Sequence, residues 1–246
     1  MNANQANTEL EKLDLLIAHV WQQIFASTEA KEFIETFMGK DKRVYALYMC
    51  QVYHYAYYAA RNLGLAGANT SNKETWLMHH FFEHAMEETG HELMAAKDLL
   101  ALGVSLKKDF SNMPPPLPET EVLVAYVRHL STGSEPYKSL GYHYWIEQPY
   151  AHILPFIQIL KSNMSLTDKQ MTFYIQHMEI DKKHGADMQK ILKRICTTPE
   201  HWENIREVTQ TSLELTHKML TGVIREYKIL TEGKKSAYAI LNQIAT

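Results

Sequence analysis

The chain is short of the residues that interrupt helices. Ten glycines and eight prolines in 246 residues leave few turn signals, and the alternating β-branched runs that mark strands do not occur. An all-α fold follows. Two cysteines, Cys50 and Cys196, lie far apart in helical contexts, which excludes a disulfide framework and fits reduced thiols. Charge of one sign is missing too: 25 Lys and Arg stand against 28 Asp and Glu, a formal −3 with no basic cluster. The electrostatic footprint of a nucleic-acid binder is therefore absent. The richest apolar segment, residues 45–60, is broken by Gln51 and His54, and MNANQANTEL at the start lacks the basic and apolar stretches of a secretory signal. These absences lead us to expect a cytoplasmic protein without membrane or nucleic-acid partners. What is present, 46% hydrophobic and 22% charged residues, suffices for one ordinary globular core.

Apolar spacing sets out the helices. Leu13, Leu16, Val20 and Ile24 recur at helical steps within residues 8–26, with residues 1–8 expected as a flexible tail. Tyr45, Tyr48, Met49, Val52, Tyr53, Ala56 and Ala60 continue the pattern over 41–64, and Gly64 and Gly67 are expected to end it. Ser71 to Glu74 resembles a capping box, opening what should be the longest helix, to Leu102 with Gly103 as its stop. NMPPPLP at 112–118 forms a stiff connector. Helices over 119–132 and 136–162 follow, the second kinked or split by Pro149 and Pro155. Thr167 with Asp168 starts the next, to about Cys196, and Thr198 with Pro199 is an N-cap pair for another. A last short helix is expected near Ser236. Short connectors imply one domain over 1–246, a compact bundle of seven to nine helices.

Histidine is the unusual component: thirteen are present. His177, Asp181 and His184, in HMEIDKKH, stand at i, i+4 and i+7 of a predicted helix and fall within roughly 60° of one another at about 100° per residue. With 13 His in the chain, random placement yields such a triplet about 0.02 times. Glu88 and His91 at i, i+3 form the pair by which a helix offers a carboxylate and an imidazole to one metal. About one such pair is expected by chance, and Glu214 with His217 is another. Position strengthens Glu88 and His91. His80 and His84 share their stripe beside Leu77, Phe81 and Ala95, so the polar groups face inward, where buried charges call for a partner or a cation. Glu147 is the only acid in GYHYWIEQPY and the natural third contributor.

Six candidate ligands result: Glu88, His91, Glu147, His177, Asp181 and His184. Three imidazoles and three carboxylates would give each of two metals about three protein ligands and leave positions open, as catalytic sites do. Nitrogen and oxygen donors without thiolate suit iron or manganese and leave zinc open. His84 reads either as a supporting donor or as a further ligand. His79, His129, His143, His152, His201 and His217 lack such company and read as surface or ordinary core histidines. Tyr45, Tyr48, Tyr53, Tyr57 and Tyr58 read as core packing, with Tyr53 or Tyr57 the candidates for a pocket wall. Tyr144, Trp145, Phe156 and Met178 suggest an apolar component to that pocket.

Glu88-x2-His91, Glu147 and His177-x3-Asp181-x2-His184, in this order on an all-helical chain, resemble the haem-oxygenase-like diiron oxidases and oxygenases. The resemblance spans about residues 10–230, and QVYHYAYYAARNL at 51–63 is similar to the second-helix segment of the wider TenA and PQQ-synthesis superfamily. It implies two ferrous ions, dioxygen as co-substrate, oxidation of a C–H bond or a nitrogen of a small molecule, and a homodimer. It also implies a division of ligands, with His91, Glu147 and His177 on one iron and Glu88, Asp181 and His184 on the other. TenA-type thiamin-salvage hydrolysis fits less well, because Val52 stands where that group has an Asp and neither cysteine lies in the expected segment. Haem oxygenase would use a first-helix histidine such as His19, but its Gly-rich distal helix is missing. The metal-free PQQ-synthesis oxidase leaves the Asp181–His184 spacing without a role, and the His-Asp phosphohydrolases require a His-Asp dipeptide that does not occur. A non-catalytic helical binding protein with a buried polar network is the alternative from another class.

Overall fold

The computed structural model describes the backbone of every residue but Gln148, Pro149 and Thr246, and the side chains of all but these three, Ala30, Phe33, 150–156 and 178–186. The described residues form ten α-helices and no strand: α1 (Ala3–Ala26), α2 (Thr28–Phe37), α3 (Lys42–Asn69), α4 (Thr75–Glu87), α5 (Glu92–Ala101), α6 (Pro118–Thr132), α7 (Leu140–Ile146), α8 (Tyr150–Asn163), α9 (Thr172–Ile195) and α10 (Pro199–Thr231). The all-α expectation holds, with slightly more helices than seven to nine. Two central rods organise the rest: α3 packs against α4, α5 and α6, and α10 against α1, α6 and α7.

Several boundaries differ from the sequence reading, each for a local reason. There is no loose tail over 1–8. Asn2 accepts from the Gln5 amide at 3.0 Å and Gln5 returns the bond to the Asn2 amide at 2.9 Å, so a capping box starts α1 at Ala3. Gly64 and Gly67 do not end α3, which runs on to Asn69. A Cβ at Gly67 would stand 3.0 Å from the Phe82 ring, so this glycine serves close packing of α4 on α3. The helix expected from Ser71 to Leu102 is two helices broken at Glu88–His91, and the longest is instead α10, with 33 residues. Its Thr198 cap and Pro199 start stand as expected. The segment after Pro136 is split between α7 and α8, but Pro149 itself lies outside the described residues, and Pro155 sits within α8 with its side chain outside them. Near the C-terminus only a 3-10 turn forms, over Ala239–Gln243.

The connector before α6 is held by buried polar contacts. Gln51 Oε1 accepts from the Leu117 amide (2.9 Å) and the Thr120 hydroxyl (2.8 Å) while its Nε2 donates to the Tyr238 hydroxyl (3.1 Å). His54 Nε2 contacts the Pro114 carbonyl at 2.7 Å. The two polar residues that break the apolar run of α3 thus receive the proline segment. Buried apolar side chains fall into two clusters, one around Leu13, Trp21, Phe81, Trp145 and Trp202, the other around Phe37, Tyr45, Leu99, Phe173 and Tyr174. Tyr48, Tyr55 and Leu220 pack against both. The seam between these cores holds the polar site.

Candidate metal centre

Three of the candidate donors stand where helices end, and the fourth is set on α9. Glu88 caps the C-terminus of α4, His91 precedes α5, and Glu147 caps α7. The turn between α4 and α5 passes through Gly90 at φ +93°, a conformation that side-chain-bearing residues adopt only with strain. The turn carries Glu88 and His91 into one cluster with His177, their donor atoms all within 4.8 Å of one another. Ligands about 2.1 Å from one ion lie about 3–4 Å apart, so small side-chain adjustments would bring these three onto a metal. His84, Glu88 and Glu147 form a second cluster of the same size. Glu88 belongs to both.

Hydrogen bonds orient the imidazoles. His177 Nδ1 lies 2.8 Å from the Phe173 carbonyl, which can only accept, so Nδ1 carries the proton and Nε2 keeps its lone pair. Phe173 also stacks on the His177 ring, centroids 4.0 Å apart. Asp98, fully buried on α5, anchors the start of α9 by accepting from the Thr172 amide at 2.7 Å and the Phe173 amide at 3.1 Å. His91 Nδ1 donates to Glu88 Oε2 at 3.1 Å, and His84 Nε2 lies 2.8 Å from Glu147 Oε1 and 3.8 Å from Glu88 Oε1. His84, His91, Glu147 and His177 are all buried. Burial pushes His177 below the usual imidazole range, favouring the neutral form that binds metal.

An apolar cavity of about 170 Å³ opens beside this cluster, with Glu88, His143, Glu147 and His177 at its polar end. Tyr48, Tyr55, Tyr142 and Tyr174 line it, and Tyr48 hydrogen-bonds to Tyr174 and Tyr55. Phe25 is the only exposed residue of its described wall. His143 lies 3% exposed with no hydrogen-bond partner for Nε2, and burial pushes it down to about 3. Cys50 and Cys196 are free, buried and not on this wall, burial raising the Cys196 thiol to about 12.

The model of the iron-containing redox enzyme family matches residues 46–217, which include all of these donors. The chain belongs to that family. Consistent with this membership, a domain of unknown function with a heme oxygenase-like fold from Shewanella denitrificans OS217 is 34% identical, with a TM-score of 0.85 over 92% of this chain and 96% of that one. TenA homologues share the fold at lower identity. The one from P. horikoshii OT3 is 14% identical (TM-score 0.67, 88% and 98% covered) and that from Pyrococcus furiosus 15% (0.67, 87% and 99%). No curated protein matches. No helix among the described residues is long and apolar enough to cross a membrane.

In this member of the iron-containing redox enzyme family, the structure brings together four of the six sequence-derived candidates: Glu88, His91, Glu147 and His177. Asp181 and His184 lie on α9, one and two turns beyond His177, and their side chains lie outside the described residues. The expected division of ligands does not match the clusters. Glu147 groups with His84 and Glu88 rather than with His91 and His177, and His84 joins the site directly. Of the α3 tyrosines, Tyr48 and Tyr55 line the pocket; Tyr53 and Tyr57 stack on each other elsewhere, next to Phe110. Trp145 lines the cavity as expected, whereas Tyr144 is buried away from it and donates to Asp14 at 2.6 Å. Phe156 and Met178 lie outside the described side chains. His143, set aside in the sequence, sits one turn before Glu147 on the cavity wall; that i, i+4 spacing was the available signal.

Proposed function

We propose that the chain is a dinuclear iron enzyme that uses dioxygen to oxidise or oxygenate a small organic molecule at carbon or nitrogen. The observation that carries this reading is the sharing of half-buried Glu88 between two three-donor clusters whose other members are buried. Glu88, His91 and His177 would hold one ion and His84, Glu88 and Glu147 the second, with Asp181 and His184 proposed to complete the set. Ferrous ions there would supply the electrons for dioxygen reduction. The chain's own contribution is positional. The Phe173 carbonyl keeps the proton on His177 Nδ1, so that Nε2 faces the ion without competition from a hydrogen. The aromatic wall excludes water from the reacting substrate. Hydrolysis of the TenA type would need an accessible nucleophile, and neither thiol lies on the described wall.

Anaerobic reconstitution with ferrous iron, followed by metal analysis and oxygen-uptake measurement, tests the reading. Up to two irons per chain and iron-dependent oxygen consumption are expected. Glu88→Ala, which removes the shared ligand, should lower iron content at both positions while the helical circular dichroism signal is kept. Failure to bind iron, or full iron content in Glu88→Ala, would overturn it.

A further inference from the structure

On the reading that His84, Glu88 and their neighbours hold metal ions, those ions need a way in from solvent. Two cavities flank the centre. Glu88, Glu147 and His177 face the aromatic one, whereas His84 faces a second, of about 360 Å³, between α4 and α9. The described wall of this second cavity is His80, Glu83, His84, Met86, Glu87, Asp187 and Met188. Every one of these side chains carries a nitrogen, oxygen or sulfur donor to metal, and no lysine or arginine is among them. Among its described residues, the aromatic cavity offers carboxylates and imidazoles at its inner end alone. A dication gives up its water readily only where other donors replace it, because desolvating an unpaired charge is costly.

The second cavity is graded in depth. The Glu83 side chain is 64% exposed and that of Asp187 47%, while that of His84 is 4% exposed. Met86 and Glu87 are exposed and His80 is half-buried. His80, His84 and Glu88 follow one another at steps of four along α4 and its cap, one helical turn apart. The His80 and His84 rings are 5.8 Å apart, and His84 Nε2 lies 3.8 Å from Glu88 Oε1 and 2.8 Å from Glu147 Oε1. Carboxylates thus stand at the mouth, and imidazoles lead inward to the shared ligand. Glu83 and Asp187 meet His79 and Lys190 at 3.1 and 2.8 Å, but both of these partners are largely exposed, and pairs in such surroundings are weak enough to yield to a metal ion.

We propose that the cleft between α4 and α9 is the entrance for divalent metal, in which Glu83, Glu87 and Asp187 attract the hydrated ion and His80 passes it inward to His84. Metal and organic substrate then reach the centre through separate cavities, and the aromatic one never has to admit a hydrated ion.

Anaerobic mixing of the metal-free full chain with ferrous iron, with unbound iron captured by ferrozine at timed intervals, measures the rate of uptake separately from the final content. The double variant Glu83→Gln, Glu87→Gln should take up iron about tenfold more slowly, the low end of what a charged cleft adds to an association rate. Its final iron content and helical circular dichroism signal should match those of the wild-type chain, and added salt should narrow the difference in rate. A second variant closes the mouth by bulk. Met86→Cys puts a thiol at a position that is 77% exposed, while both native cysteines are buried, so the new thiol is labelled selectively. A pyrenyl maleimide there should slow uptake, and a methylthio group should not. An unchanged rate in either the double variant or the pyrene-labelled chain overturns the inference. A lower final iron content in the double variant overturns it too, because those acids would then be ligands of the centre rather than its entrance. A wild-type chain that takes up no iron refutes the metal reading itself, whereas full iron content reached at unaltered rates refutes the entrance alone.

Discussion

Asp98 lies outside the cavity, yet the geometry makes it the support of the metal centre. Its two oxygens receive the Thr172 and Phe173 amides at 2.7 and 3.1 Å, closing the N-terminus of α9 against α5. Phe173 in turn provides both the carbonyl that holds His177 Nδ1 and the ring that stacks on the imidazole. Replacing Asp98 with Ala leaves the buried Phe173 amide and the part-buried Thr172 amide without acceptors, at about 1–3 kcal/mol for the first and about 1 kcal/mol for the second. A lost anion at the positive end of a helix adds about 0.5–1 kcal/mol. Burial holds the Asp98 carboxyl above the usual range despite its hydrogen bonds, so removing it relieves a desolvation term of about 1–2 kcal/mol. The net expectation is a loss of about 2–3 kcal/mol. Urea unfolding monitored by circular dichroism measures it. Metal titration of the same variant should show affinity falling about 10- to 100-fold, as when ligand supports are removed elsewhere. A loss below about 0.5 kcal/mol with unchanged metal affinity would refute the idea that Asp98 sets His177.

Two further perturbations probe the turn and the far end of α3. Gly90→Ala places a Cβ in ordinary contact with Leu93, 3.9 Å away, yet at φ +93°; it should reduce stability by about 1–2 kcal/mol through backbone strain, measured by urea unfolding, and weaken metal binding by displacing Glu88 and His91. Asp41 caps α3 and accepts from Arg43 and from the Tyr227 hydroxyl at 2.9 Å. Burial alone would raise its carboxyl, but the Arg43 side chain and amide and Tyr227 outweigh this and hold it below the usual range. Because the folded-state value lies below the unfolded one, the stabilisation is present above about pH 4 and is lost as pH falls through the folded-state value. Asp41→Asn should accordingly lose about 1 kcal/mol near neutrality, and the gap between the two proteins in unfolding experiments should close as the pH falls through the lowered Asp41 value.

The all-helical architecture was legible because apolar spacing and scarce turn residues point the same way, and Thr198 with Pro199 marked the start of α10 to the residue. Boundaries failed where one residue served two ends. Gly67 resembles a stop, but its missing Cβ makes room for Phe82 inside a continuing helix. Gly90 was the true stop, hidden inside a pattern of histidines that keeps helical period on both sides of the break. Tyr48 and Tyr55, seven residues apart, share a face of α3, while Tyr53 lies about 140° round from Tyr48. Periodicity separates these two faces but does not tell which one meets a cavity, since a core wall and a pocket wall have the same composition. That distinction arises only when two apolar clusters meet imperfectly, as they do along the seam of Tyr48, Tyr55 and Leu220.

The placement of the two acids argues for a cation independently of any family. Glu88 and Glu147 each cap the C-terminus of a helix, α4 and α7, where the backbone carbonyls concentrate negative charge and a carboxylate is unfavourable by about 0.3–1 kcal/mol. Stability alone would place a neutral or basic side chain there. Both acids instead point into the interior, Glu147 at 7% exposure, and both meet His84, which is buried in the last turn of α4. Two helix ends, two carboxylates and buried imidazoles amount to a concentrated negative potential inside a hydrophobic seam. A locally unfavourable choice made twice at one place is expected where function overrides folding. A divalent cation is the species that turns all of these terms favourable at once, since it neutralises the carboxylates, faces the negative helix ends and accepts the imidazole lone pairs.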